Sequence, residues 1–211
     1  MGYHTAILRY SCAPARYPTA LMELADSMAL IHSHAEEWHV DEEKIVVQGC
    51  SAGGHLAASL GMFWDEDFLA EGIGLKKTEH ELLRPCGMIL CYPVITSGEH
   101  AHKGSFENLL GEEGKGLLEK MSLEKQVSSK TTRAFIWHTF EDRSVPVENS
   151  LLLVSALRRA GIPTEFHMYP KGQHGLALAD HLTETADGRA LQPECSSWIH
   201  LAKTWLEDLF S

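Results

Sequence analysis

The sequence predicts an α/β fold, a mostly parallel sheet with helices on both faces, and three observations predict it. Short apolar runs at residues 44–48, 87–92, 134–138 and 164–169 alternate with longer stretches of helical spacing, the pattern of repeated β-α-β units. One run passes directly into a glycine-rich turn, Gly49-Cys50-Ser51-Ala52-Gly53-Gly54, and from there into a helix of small residues. The chain has 211 residues, a normal size for one domain, and can bury roughly 70% of its unfolded surface without covalent staples.

The elements follow in order. Residues 4–9 read as a first strand. Tyr17-Pro18 opens a helical stretch to about Trp38, with Leu21, Leu24, Ala25, Met28, Ile31 and Ala35 spaced by threes and fours along one face,. Asp41-Glu42-Glu43 is a polar turn before the strand at 44–48. Residues 53–62 form a helix small enough to pack close to a sheet. Strands follow at 87–92, stopped by Pro93, and at 134–138. A helix at 147–160 ends at Gly161 with Pro163 beyond, a normal stop signal,. A last strand at 164–169 and a last helix at 196–210 complete the chain. Residues 95–130 carry weak helical signals and many polar residues, and read as an excursion between two strands within a single domain, 1–211.

Composition excludes several functions. A net charge of −11 argues against a nucleic-acid partner, which needs a basic footprint. There is no apolar run of about 18 residues to span a membrane, and no signal peptide is read at the N-terminus. The five cysteines are odd in number and form no CxxC pair, so reduced thiols in a cytoplasmic protein are expected, without a disulfide framework or a cysteine zinc site. No metal site is expected. His32 and His34 stand two apart and do not share a helix face, and Glu99-His100-Ala101-His102 reads as a polar loop. Residues 49–54 match neither the dinucleotide nor the Walker pattern, so no cofactor is expected either.

The chemistry centres on Ser51. A strand, a sharp Gly-x-Ser-x-Gly turn and a helix are the context of a nucleophile elbow. Gly49 and Gly53 are expected to lack side chains so that strand and helix approach. The helix N-terminus behind Ser51 favours a developing negative charge. A serine hydroxyl needs a base, and the base an orienting acid. Asp142 lies just past the strand at 134–138, with Glu141 as its rival. His174, between glycines just past the last strand, is the candidate base. His167 within a strand, His181 in a polar stretch and His138 at a strand end are its rivals. The order Ser, acid, His and the placement at the carboxyl edge of the sheet both suit this fold class. The five tryptophans read as core or interface residues rather than a carbohydrate platform; if one lines the pocket it is Trp64, which follows the elbow helix.

The sequence resembles the acetyl esterase and xylan-esterase-like branch of the α/β-hydrolases. The matching text is residues 46–57 (VVQGCSAGGHLA), 106–111 (FENLLG), 122–127 (SLEKQV), 135–139 (FIWHT) and 172–175 (GQHG). The resemblance implies an α/β-hydrolase fold, with Ser51 as nucleophile, Asp142 as acid and His174 as base. It implies a carboxylesterase acting on a small-molecule ester, with short acyl groups such as acetyl on sugars as substrates. The alternatives are a peptidase of the prolyl-oligopeptidase kind, which shares the turn, and a non-catalytic remnant with a binding role.

The N-terminus departs from that family. Its members carry about three further strands before the segment resembling residues 3–10, one of them leading into a loop that donates a backbone N–H to the oxyanion hole. The expectation is an N-terminally truncated version of the fold, with Ala52 as the one visible oxyanion donor. The strand at 4–9 is then expected to pair directly with the strand at 44–48, or a loop or another chain to fill the gap, because unpaired buried backbone is costly. Exposed sheet edges also predict homo-oligomerisation.

Overall fold

The computed structural model describes residues 2–211. Four parallel strands form one sheet in the order β1-β2-β3-β4: β1 (Val46–Cys50), β2 (Gly87–Cys91), β3 (Arg133–Thr139) and β4 (Thr164–Tyr169). Strand order equals chain order, so each connection crosses over a face of the sheet and returns to the same end. The register pairs Cys50 with Cys91, Cys91 with Trp137, and Thr139 with Tyr169. All four carboxyl ends therefore lie along one edge, where open α/β sheets collect their sites.

Eight helices flank this sheet among the described residues: α1 (Thr19–Ser33), α2 (Ala35–Trp38), α3 (Ala52–Phe63), α4 (Asp67–Gly72), α5 (Lys103–Leu110), α6 (Glu148–Arg159), α7 (Pro193–Ser196) and α8 (Trp198–Leu209). They cover both faces, as predicted. Leu21, Ala25 and Met28 of α1, Leu60 of α3 and Leu153 and Leu157 of α6 pack with Met88, Leu90 and Ile136 in one apolar layer. Trp198, Ala202 and Leu206 of α8 pack with Ile89, Phe135 and Trp137 in the other. The alternation along β2 and β3 explains the split, since successive strand residues face opposite sides. The long helical stretch predicted before Trp38 breaks at His34 into α1 and α2. The excursion between β2 and β3 holds α5 and short 3₁₀ turns, tied down by Leu123 N–H donating to Ile95 O at 3.0 Å.

The first predicted strand does not form. Residues 2–10 form no regular element and, among the described residues, have no ladder partner and no backbone–backbone hydrogen bond, and Ile7 is 85% exposed. Tyr3 packs edge-on against Phe210 of the C-terminal helix end, so the run is held by side chains alone at that point. Neither does it pair with β1, whose only partner among the described residues is β2. Sequence alternation gives residues a strand-like character, but a strand exists only where a neighbouring backbone closes the ladder. Here the unpaired groups face solvent, so water can satisfy them and the penalty for burying them does not arise. No helix among the described residues is long and apolar enough to cross a membrane.

Candidate active site

The site is built where β1 turns into α3. Ser51 sits at φ 55°, ψ −120°, a backbone region that costs a non-glycine residue about 1–3 kcal/mol and survives only where its surroundings fix it. Three bonds do so. Ser51 N–H donates to Cys91 O at 3.0 Å, and Ser51 O accepts from Val94 N–H at 3.1 Å and from His55 N–H at 3.2 Å. Gly49 is sterically required, because a Cβ there would overlap the Gly53 carbonyl. Gly54 is required as well, since its Cβ would stand 2.8 Å from Pro93 Cβ. Gly53 is not. A Cβ there meets only the Tyr10 hydroxyl, at 3.7 Å. The close approach predicted for Gly49 and Gly53 is thus made by Gly49 and Gly54.

Ser51, His174 and Asp142 come together across 123 residues of sequence. His174 Nε2 lies 2.7 Å from Ser51 Oγ, and His174 Nδ1 lies 2.6 Å from Asp142 Oδ2. A carboxylate only accepts, so Nδ1 carries the proton and Nε2 is left to accept from the Ser51 hydroxyl. The rivals fall away by position. Glu141 accepts from Gly172 N–H at 3.4 Å, on the His174 loop. His167 faces Glu165 at 2.6 Å on β4. No hydrogen bond links His181 to this group.

His138 has a larger part than a strand-end residue. It is fully buried, and its Nε2–H points at both Asp142 Oδ2, 3.2 Å away, and Val145 O, 2.9 Å away. Both of those atoms are acceptors, so its Nδ1 accepts from the Ser150 hydroxyl at 2.8 Å,. Asp142 Oδ1 meanwhile accepts from Ser144 N–H and Val145 N–H, each at 2.9 Å. Burial alone would raise the Asp142 carboxyl. The hydrogen bonds from His138, His174 and Val145 N–H outweigh it and hold the group well below the usual carboxylate range,. The i, i+4 spacing of His138 and Asp142 was visible in the sequence, but nothing there said that both side chains turn inward.

Two hollows lie near the site, one bordering Ala52 and the other bordering His174. One, about 300 Å³, is lined by Tyr10, Tyr17, Ala52, His55, Phe106 and Met121 among others, mostly apolar. The other, about 130 Å³, is lined by Gln173, His174, Thr185 and Arg189 with small apolar groups. Ala52 opens α3, and its N–H has no hydrogen-bond partner among the described residues. Trp64 does not reach either hollow. It is buried in the core and its indole N–H donates to Lys130 O at 3.0 Å. No three His, Cys, Asp or Glu side chains among the described residues cluster as a metal site requires.

Comparison with known proteins agrees with this architecture. The BD-FAE family model matches residues 1–157. Endo-1,4-beta-xylanase B of Butyrivibrio fibrisolvens is 39% identical over 169 residues, 76% of this chain and 25% of that protein. Acetylxylan esterase of Xylanibacter ruminicola is 31% identical over 162 residues, 74% of this chain and 31% of that protein. The crystal structure of an acetyl ester-xyloside bifunctional hydrolase from Caldicellulosiruptor lactoaceticus superposes with a TM-score of 0.79 at 36% identity, covering 96% of this chain and 70% of that one. The chain spans between a quarter and a third of the length of these two curated relatives. It belongs to the BD-FAE family and is an esterase-like member of the α/β-hydrolase superfamily.

Proposed function

From that membership we propose that the chain is a serine carboxylesterase that cleaves short acyl esters, acetyl groups on sugars among them. The single observation that carries the reading is the unbroken hydrogen-bonded line from Ser51 Oγ through His174 to Asp142. His174 Nε2 takes the Ser51 proton as Oγ attacks the ester carbonyl. Asp142 holds the imidazole in the required tautomer and stabilises the imidazolium that forms. Ala52 N–H, with the dipole of α3 behind it, binds the developing oxyanion. The imidazolium then protonates the leaving alcohol, and water activated by the same histidine releases the acid.

The two hollows suggest how an ester lies. The apolar one touches Ala52 and suits the acyl group. The smaller one holds His174 beside Gln173, Thr185 and Arg189, polar groups that suit a hydroxylated alcohol leaving on the histidine side. Two relatives, an acetylxylan esterase and an acetyl ester-xyloside bifunctional hydrolase, favour the acetylated sugar. Five free cysteines are consistent with a reducing, cytoplasmic setting,.

The test is direct. The protein is incubated with p-nitrophenyl acetate and, separately, with a fluorophosphonate probe, alongside Ser51→Ala. Acetate release together with probe attachment at Ser51, both lost in the variant, is the expected result. A protein that neither turns over nor takes the probe at Ser51 removes the catalytic reading.

A further inference from the structure

Two cysteines adjoin at the carboxyl edge and play no part in the serine chemistry. Cys50 ends β1 and Cys91 ends β2, and they are in-register partners. In-register residues of parallel strands project to the same face, so both thiols lie on the α8 side with Ile89 and Trp137. Adjacent strands run about 4.8 Å apart, inside the roughly 4.4–6.8 Å between Cα atoms that a disulfide spans. Cys50 is exposed and Cys91 is fully buried.

We propose that Cys50 and Cys91 are an oxidation site, at which a peroxide converts the two thiols into a cross-strand disulfide beside Ser51. The exposed Cys50 is the attacking thiol and the buried Cys91 the resolving one. The Cys50 thiolate attacks one oxygen of hydrogen peroxide. The O–O bond breaks, hydroxide leaves and takes up a proton as water, and Cys50 becomes a sulfenic acid. The Cys91 sulfur, losing its proton, then attacks the Cys50 sulfur and expels the second water. Two thiols give up two electrons and two protons, and the peroxide is reduced to two waters.

The surroundings favour Cys50 as the first reactant. The neighbouring Cys91 thiol, then the Tyr92 hydroxyl, pull the Cys50 thiol down to about 7 against partial desolvation. A thiol in that range is substantially ionised at neutral pH and near the optimum for attack. Cys195 is occupied otherwise, buried and donating to Lys171 O at 3.3 Å. Cys86 lies before the opposite end of β2, and burial raises it. The bridge would join the residue before Ser51 to the residue before Tyr92, whose ring packs edge-on against His174 at 5.0 Å between centroids.

The site does not depend on Ser51 being a nucleophile, so it is tested in the unsubstituted chain and in Ser51→Ala together. Each protein is reduced, desalted and exposed to hydrogen peroxide, then thiols are counted after denaturation and peptides mapped by mass. The expected result in both is a fall from five free thiols to three, a mass loss of about 2 Da, and one cross-linked peptide pair carrying Cys50 and Cys91. Dithiothreitol restores the starting state. Cys50→Ala, a change at an exposed position, abolishes the loss of both thiols. In Cys91→Ser, Cys50 stops at a dimedone-reactive sulfenic acid, about 16 Da heavier. The proposal is overturned if peroxide leaves Cys50 reduced, if it carries Cys50 to higher oxides with Cys91 still free in the unsubstituted chain, or if bridges form through Cys12 instead.

Discussion

The loop that carries Asp142 and the outer edge of β1 both lie on the rim of the same sheet, yet one is closed and the other open. Around Asp142 the carboxylate takes donors at both oxygens. His138, His174, Ser144 and Val145 all point inward, and His138 is itself held by Ser150. Each partner fixes the next, so the carboxylate cannot rotate without leaving buried donors unpaired. Along β1, by contrast, Gln48 and Cys50 are exposed, and residues 2–10 run free of any ladder. Chemical precision on this rim thus comes from local polar closure behind a strand end. The 2.6 Å and 2.7 Å contacts of His174 rest on that closed side.

Asp142→Asn should keep the geometry but invert the tautomer of His174, lowering the turnover of p-nitrophenyl acetate by about 10⁴-fold, an effect of the size known for such acids. The same variant probes stability against pH. The native carboxyl lies below its ordinary value, so its contribution is fully present above the unfolded value of about 4 and is lost as pH falls through the native one. Urea melts between pH 7 and pH 3 should therefore show a steeper acid decline in the unsubstituted protein than in Asp142→Asn. Equal slopes would deny the carboxylate this role.

Next in size is the elbow, where the two regions meet. Gly49→Ala drives a methyl group into the Gly53 carbonyl and should destabilise by on the order of 3 kcal/mol. Gly53→Ala has room and lies in the first turn of α3, so it should stay within about 1 kcal/mol. Chemical denaturation of the two reads this asymmetry directly. A smaller loss is expected from His138→Leu, about 1–3 kcal/mol from the buried Ser150 and Val145 groups left unpaired,, with the fall in activity far below that of Asp142→Asn. The smallest effect belongs to the open side. Ile7→Ser, at an 85% exposed position, should change stability by less than about 0.5 kcal/mol. A loss above 2 kcal/mol would mean that residues 2–10 are packed in solution after all.

Much of this protein was legible without coordinates. The strands β2, β3 and β4 lie within a residue or so of their expected positions, because β2 and β3 are apolar runs, and β2 and β4 are stopped by prolines at 93 and 170. Ser51, Asp142 and His174 were legible for the same reason: each sits in a short, distinctive string just past a strand, and the parallel topology carries such positions to one edge. Residue pattern alone was enough for the fold class, the elbow and the three residues that meet there. It took the folded chain to show that residues 4–9 stay unpaired, that Gly54 rather than Gly53 needs to be bare, that His138 backs Asp142, and that Cys50 pairs in register with Cys91. The physical reason is common to all four. Local pattern reports what a segment can form, whereas these outcomes depend on whether a particular atom from elsewhere in the chain is within reach.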